Sequence, residues 1–262
     1  MGKDHLVYQL QSLRECATKK LAEHAMLGVT VVIPALNEAK NIASVIRELK
    51  HLGFSDILVI DGNSQDETAR IAKELGVNLM FQNGHGKGTA LRQVFSYGGL
   101  KGNVVVMMDA DGSMNPKELF SFVDALGPHV DLVKGSRFMC GGYSQDMTFA
   151  RRVGNLLFVA LTNLLMRTNY TDLCYGYAAF RREAVERLYP CLTSTNFEIE
   201  AEIFTKSKKL RLNVVEVPSI EMRRKSGKSN LKAVKDGFLI LRTIFREFIF
   251  FRKNAPVHRR AA

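Results

Sequence analysis

Short β-branched apolar runs alternate along the chain with longer segments in which apolar residues recur every three or four positions. Val29–Leu36 is such a run, entering a loop around Pro34, and reads as a buried strand. Ala39–Leu52 sets Ile42, Val45, Ile46 and Leu49 on one helical face, and Gly53 follows as a stop. Asp56–Asp61 (DILVID) predicts a second buried strand. The polar turn Gly62–Asp66 follows, then a helix to about Leu75 with Gly76 past its end. Val77–Phe81 predicts a third strand, running into the glycine-rich NGHGKG. A helix from about Thr89 precedes Asn103–Asp109 (NVVVMMD), the most apolar strand; Pro116 starts another helix and Asp131–Phe138 is a fifth strand. This alternation predicts an α/β fold, a mostly parallel sheet with helices on both faces. Ligands in such sheets bind beyond the carboxyl ends of the strands. The tips of interest are therefore Ala35–Glu38, Asp61–Asp66, Gly84–Gly88 and Asp109–Ser113.

The second half is less regular. Met139–Thr148 reads as a loop around Gly141-Gly142, followed by helices at about Arg151–Arg167, Glu183–Leu188 and Phe197–Lys209. Val214–Met222 is a strand that Pro218 assigns to a sheet edge. Arg223–Asn230 (RRKSGKSN) is a basic loop, and Leu231–Arg252 a long apolar and basic helix. At the other end, Leu6, Leu10, Leu13, Ala17 and Leu21 predict an amphipathic helix within Met1–Leu27, a segment too charged to be a signal peptide. No apolar run reaches the ~18–20 residues of a membrane span.

Charge sharpens this picture. The net charge is +11, and residues 221–262 hold twelve Lys or Arg against three acidic residues. An anionic partner is expected, and the C-terminus has to account for it. The four cysteines, Cys16, Cys140, Cys174 and Cys191, form no C-x-x-C pair, which argues against a zinc site and for a reducing compartment. The first strand leads into Pro34-Ala35-Leu36-Asn37-Glu38 rather than G-x-G-x-x-G, and Gly84–Gly88 lacks P-loop spacing, so neither a dehydrogenase nor an ordinary NTPase is indicated.

Asp109-Ala110-Asp111 is the sharpest local signal. Two residues apart in extended chain, the carboxylates share one side, and a hard divalent cation bridging to phosphate would relieve their repulsion. A turn using Asp as a local acceptor is the alternative. Asp61 ends a buried strand and can accept from a base or ribose, while Ser64 or Asp66 suits the following helix cap better. Glu38 is either a further acceptor or a first-turn charge. Lys87 lies between glycines that let the backbone approach an anion.

In order and spacing, VVIPALNEAKNI, VIDGNSQDET, GKGTALR, MDADGSMNP, KGSRF, TDLCYGYAAFRR, FEIEAEI and EVPSIEMRRKSGKSNL resemble family 2 glycosyltransferases of the GT-A fold. Among these the chain looks most like the polyprenyl-phosphate (dolichyl-phosphate) mannosyl- and glucosyltransferase branch. The resemblance implies a GT-A domain over residues 29–230, preceded by the N-terminal helix (1–28) and followed by a basic amphipathic helix and tail (231–262). It implies a UDP- or GDP-linked sugar donor, with Pro34, Leu36, Glu38, Ile60 and Asp61 lining the nucleoside pocket, Lys87 and Ala110 beside the donor, and Asp109 and Asp111 holding Mg²⁺ or Mn²⁺ on the diphosphate. The metal would act as a Lewis acid on the departing NDP, with inversion at the anomeric carbon. Arg137, Arg151, Arg224 and Lys228 match positions that meet the acceptor phosphate, as convergent cations would, Arg224 from a flexible loop that closes on donor and acceptor phosphates alike. Asp111, Arg137 and Asp172 are the implied catalytic set; Asp172 lies where many members place a general base, which a hydroxyl acceptor needs and an ionised phosphate does not, and the alternative is that it simply holds an arginine or a backbone amide. Glu198 and Glu200 read as structural. The chain departs from the branch pattern at Ser113, where Gln is common, and at Asn230, where the loop motif ends in Lys.

The leading expectation is hexose transfer to a polyprenyl phosphate by a peripheral protein on the cytoplasmic face of a membrane. The alternative is the same donor chemistry with a soluble or phosphorylated acceptor. A nucleic-acid-binding module would suit the charge, but the chain lacks Trp and its basic residues interleave with an apolar helix, so no nucleic-acid partner is expected. The C-terminal helix would lie on anionic lipid, or else pack on the domain or in a homodimer interface.

Overall fold

The computed structural model describes residues 28–227 and 230–253. The N-terminal helix expected before Gly28, Lys228 and the tail after Lys253 lie outside the described residues. Strands β1 (Val29–Ala35), β2 (Asp56–Asp61), β3 (Asn78–Phe81) and β4 (Val104–Met107) alternate with helices α1 (Ile42–His51), α2 (Thr68–Glu74) and α3 (Lys87–Phe95). A 3₁₀ turn (Pro116–Glu118), α4 (Leu119–Ala125), β5 (Leu132–Ser136), β6 (Tyr143–Ser144), α5 (Phe149–Met166), β7 (Ala178–Arg181), α6 (Arg182–Leu188), a second 3₁₀ turn (Tyr189–Cys191) and α7 (Ile199–Lys209) follow. The described chain ends with β8 (Val214–Pro218), β9 (Ile220–Glu221) and α8 (Ala233–Lys253).

Seven strands form one sheet in the order β3-β2-β1-β4-β7-β5-β8, and β6 pairs with β9 in a small second sheet. All pairings are parallel except those of β7, antiparallel to both β4 and β5. The strand period of two divides the core. Val32, Leu58, Ile60, Val105 and Met107 face α3, α7 and α8 on one side. Val31, Ile33, Ile57, Val59, Val104 and Val106 face α1 and α4 on the other. Burial on both faces is why these strands read as continuous apolar runs.

The differences from the sequence reading have local causes. β4 stops at Met107, where its pairing with Val32 of β1 and Ala178 of β7 ends, so Asp109 and Asp111 lie in the turn beyond the strand. Pro34 remains inside β1, paired with Ile60; β4 has already ended there and leaves that flank open. Pro116 opens a 3₁₀ turn before α4, with Asn115 accepting from Lys117 N. β7 was not anticipated: four residues in AAFR carry no alternation, and their strand character comes from the two neighbours that clamp them.

α8 is built onto the domain. Ile240, Thr243, Ile244 and Glu247 are buried, and Glu247 accepts from Lys206 (3.0 Å) and Lys209 (2.9 Å) of α7. Burying each isoleucine contributes about 1.5–3 kcal/mol. The other side of the helix stays exposed at Phe238, Phe245 and Ile249.

Candidate active site

The tips of β1 and β2 form the first wall. Asp61 is buried at the end of β2; its Oδ2 accepts from Ser64 N at 2.9 Å, and its Oδ1 has no hydrogen-bond partner among the described residues. Asp66 holds Thr68 N and Ala39 N, so it supplies the helix-end contact expected of it. Pro34, Leu36, Ile60, Gly62 and Gln82 complete this wall of a cavity of about 590 Å³.

The glycine loop places Lys87. A Cβ on Gly86 would lie 2.3 Å from Thr195 O, and one on Gly88 2.6 Å from Ser194 O. These glycines therefore admit the 194–195 backbone, a correction to the expectation that they clear room for an anion. Gly86, at φ 91°, also starts the helix two residues before Thr89. Lys87 is buried, with Nζ 2.6 Å from Asp109 Oδ1 and 2.7 Å from Glu200 Oε1. Burial pulls the ammonium down, and the carboxylates Asp109 and Glu200 more than reverse this, holding it above the ordinary lysine range. Glu200 is raised by burial despite its contact with Lys87. It belongs to the site, whereas Glu198 accepts from Thr195 N and Asn196 N and shapes the turn.

Asp111 and Glu38 share Arg224. Nη1 lies 3.1 Å from Asp111 Oδ2, Nη2 binds Glu38 Oε1, and Nε donates to Ser226 O at 2.8 Å. Burial raises the Glu38 carboxyl above its ordinary value, with Asn41 and Arg224 opposing. Arg224, expected on the donor and acceptor phosphates, is folded here onto the carboxylates of Glu38 and Asp111.

Asp109 and Asp111 line the cavity, partly exposed. Among the described residues, no group of three or more His, Cys, Asp or Glu side chains is arranged for a metal. Two carboxylates at one turn fit a hard cation whose remaining positions are filled by phosphate and water. Ser113 is buried, and its N donates to Asp111 Oδ1, so the local-acceptor turn exists as well.

The second wall centres on Arg137. Its Nε and Nη2 take both oxygens of Asp172 (2.7 and 3.0 Å), Nη2 also reaches Cys174 O (2.9 Å), and Nη1 reaches Glu221 (3.1 Å). The guanidinium lies 4.6 Å from the Tyr175 ring centroid. Asp172 is fully buried. Burial raises its carboxyl, but Arg137 and Lys134 outweigh that and hold it below the usual range. Of the two readings of Asp172, the geometry matches the one in which it holds an arginine: both oxygens bind Arg137. Arg151, in the first turn of α5, lines the cavity, while Arg152 lies over the Phe138 ring at 5.7 Å.

Asn155, one turn beyond Arg151, was missed. It is buried and lines the cavity; its Oδ1 accepts from Leu173 N (3.1 Å) and Cys174 N (3.0 Å), and its Nδ2 has no partner among the described residues. Nothing in an apolar helix sequence marks one Asn as an inward donor. Beyond it, Phe158, Val234, Gly237 and Ile240 give the cavity an apolar end between α5 and α8.

Residues 30–189 match the Glycosyl transferase family 2 profile. The chain is 34% identical over 222 residues to glycosyltransferase AglJ of Haloferax volcanii, covering 84% of this chain and 71% of that protein. It is 31% identical to the polyprenol monophosphomannose synthase of Mycolicibacterium smegmatis, covering 77% and 80%. Among solved structures, glucosyl-3-phosphoglycerate synthase of Mycobacterium tuberculosis, in complex with Mn²⁺, UDP-glucose and phosphoglyceric acid, superposes with TM-score 0.72 at 22% identity, covering 87% of this chain and 82% of that one. That likeness establishes the shared GT-A fold. The alternating α/β sheet, the acidic turn at its carboxyl edge and these relationships together make the chain a member of glycosyltransferase family 2, a nucleotide-sugar-dependent transferase.

Proposed function

We propose that the protein transfers a hexose, with inversion, from a UDP- or GDP-sugar to a polyprenyl phosphate. The observation that carries this reading is the commitment of Asp172 to Arg137. A hydroxyl acceptor requires a base, whereas a phosphate arrives ionised and requires cations and N–H donors. Arg151 and the unpartnered Nδ2 of Asn155 supply these on one wall, beside Arg137, whose Nη1 would exchange Glu221 for the phosphate. The curated relatives named for polyprenyl-phosphate substrates support the same acceptor class.

Pro34, Leu36, Ile60 and Asp61 would receive the nucleoside, with the open Asp61 Oδ1 as acceptor for an N–H or O–H. Asp109 and Asp111 would hold Mg²⁺ or Mn²⁺, which when bound supplies positive charge against the diphosphate. Lys87 keeps Asp109 in place and adds a fixed positive charge at the same turn. Arg224 exchanges Asp111 for donor phosphate. A phosphate oxygen of the acceptor then bonds to the anomeric carbon from the face opposite the NDP, which leaves with the electron pair of the broken C–O bond.

The polyprenyl chain would leave through the apolar end of the cavity, between α5 and α8. Their outer sides carry Phe149, Val153, Leu157, Leu164, Phe238 and Phe245, all exposed, beside Arg152 and Arg242. No helix among the described residues is long and apolar enough to cross a membrane. A peripheral seat on anionic lipid, on the cytoplasmic face, fits this surface.

The deciding experiment assays UDP-glucose, GDP-mannose and UDP-N-acetylglucosamine against farnesyl phosphate and against 3-phosphoglycerate, with product configuration read by NMR. Transfer to farnesyl phosphate with inversion is expected. Transfer to 3-phosphoglycerate alone would replace the lipid acceptor by a soluble one.

A further inference from the structure

Three motif residues take no part in the reading above: Lys134 of KGSRF, Thr171 of TDLCYG and Glu216 of EVPSIE. The fold brings them together beneath Arg137. Lys134 on β5 and Glu216 on β8 are register partners on adjacent parallel strands. Lys134 is fully buried, with Nζ 2.6 Å from Glu216 Oε1 and lying 4.8 and 5.3 Å from the ring centroids of Phe204 and Tyr170. Replacing a buried ion pair by apolar side chains is often neutral or stabilising, so stability alone is a weak explanation for this one.

Its hydrogen bonds give a better one. Glu216 accepts from Thr171 N (2.9 Å), Thr171 Oγ1 (2.9 Å) and Asp172 N (3.4 Å). Lys134 donates to the carbonyl of Asp172. Ser136 Oγ bonds Thr171 Oγ1 at 2.6 Å. The Thr171–Asp172 segment is thereby gripped on its N–H groups, its hydroxyl and its carbonyl. Asp172 then spends both carboxylate oxygens on Arg137, three residues beyond Lys134 in the chain. The contacts close a ring that begins and ends on the β5 segment.

We propose that the buried Lys134–Glu216 pair is a positioning element for Arg137, fixing through Thr171 and Asp172 the plane in which that guanidinium meets the anionic group of the acceptor. The last clause rests on the acceptor reading above; the positioning of Arg137 does not. With Nε and Nη2 held by Asp172 the plane is fixed, and Nη1, now on Glu221, is the end that would turn to the anion; a guanidinium free to rotate loses that geometry.

The test uses the full-length protein and Glu216→Gln. Hydrogen exchange of the arginine Nε–H groups is followed by NMR, with Arg137 assigned from its loss in Arg137→Lys. Arg181 and Arg182, whose Nε–H groups donate to Val130 O and Gly102 O, are internal references. Exchange at Arg137 should accelerate at least about tenfold in Glu216→Gln while both references change less than about twofold. The KM for farnesyl phosphate should rise by about tenfold, with kcat and NDP affinity altered much less. If Glu216→Gln folds poorly, Lys134→Met/Glu216→Gln removes the whole pair and should loosen Arg137 in the same way. Unchanged exchange at Arg137, or acceleration shared equally by Arg181 and Arg182, would overturn the proposal. If Arg137 responds in exchange but Arg137→Lys leaves the farnesyl phosphate KM unchanged, the acceptor reading falls and the positioning of Arg137 stands.

Discussion

Arg224 holds Asp111 and Glu38 with one guanidinium, Nη1 lying 3.1 Å from Asp111 Oδ2. A side chain from the basic loop thus occupies a carboxylate proposed for the metal. Removing it takes a competing cation away from Asp111. In Arg224→Ala, Mn²⁺ should bind the nucleotide-free protein more tightly, by about tenfold for one charge-assisted hydrogen bond. The donor KM should rise over the same range, because the arginine no longer reaches the diphosphate. Calorimetry with Mn²⁺ alone and kinetics with varied donor measure the two effects. Weaker Mn²⁺ binding would mean that Arg224 organises Asp111 rather than competing for it.

Asp109→Asn and Asp111→Asn should each lower transfer by at least about a hundredfold, the scale for losing a main electrostatic stabiliser of a leaving group. The fold should survive, because both side chains lie partly exposed in a turn beyond β4. Circular dichroism and transfer rates, with and without chelator, check this. Wild-type activity in excess chelator would refute the metal assignment.

Asn155 separates acceptor binding from folding. Asn155→Ala strands the Leu173 amide, costing about 1–3 kcal/mol if left unsatisfied, leaves the Cys174 amide only its 3.3 Å bond to Asp172 Oδ1, and removes the Nδ2 donor. Asn155→Asp keeps the acceptor oxygen for those amides but replaces the donor by a negative charge. The aspartate variant should therefore melt closer to wild type than the alanine variant and yet use farnesyl phosphate worst of the three. Thermal unfolding and acceptor kinetics decide. Parallel losses in melting temperature and activity would make Asn155 purely structural.

How much of this was legible in the sequence depends on where the determining contacts lie. β1, β2 and the acidic turn were readable because burial on both sheet faces writes an unbroken apolar run and a strand tip exposes charge at its end. β7 was not, since its direction is set by β4 and β5, far away in sequence. Lys87 was recognised as important, but the reason for its flanking glycines was wrong, because the 194–195 backbone that they admit comes from more than a hundred residues away. The roles of Asn155 and Glu216 depend on which partners are left open or engaged, and no spacing rule encodes that.

Glu247 makes the docking of α8 sensitive to pH. Burial raises its carboxyl, but Lys209 and Lys206 outweigh this, so its folded pKa lies below the ordinary glutamate value. The unfolded chain then binds the proton more readily, and the contribution is present above the unfolded pKa and lost as pH falls through the folded one. Glu247→Gln should lower stability by about 1.5–3 kcal/mol near neutral pH. The gap between the variants should close as pH falls to about 3. Thermal unfolding of both proteins across that range tests it; a constant gap would show that packing, not charge, is what the substitution removes.

The exposed side of α5 and α8 carries the last prediction. Phe149 is 82% exposed, Leu164 77% and Phe238 67%, an apolar surface that water alone would not favour. Their neighbours facing inward, Gly154, Phe158 and Gly237, line the apolar end of the cavity, so the same two helices border both the site and the outer surface. A lipid whose phosphate sits at Arg137 and whose chain leaves between these helices would meet the bilayer at that surface. Phe149→Ser/Leu157→Ser/Leu164→Ser should therefore reduce co-sedimentation with vesicles containing anionic lipid. It should lower transfer to long-chain polyprenyl phosphate embedded in them and leave transfer to farnesyl phosphate in solution within about twofold, because the lost term is interfacial burial, about 25 cal/mol per Å² of apolar surface. Raising salt should weaken vesicle binding of both proteins, since each basic residue near the anionic surface contributes on the order of 1 kcal/mol. Equal co-sedimentation of the variant and the wild type would remove α5 from the membrane contact, and failure of both to bind at low salt would favour a soluble acceptor.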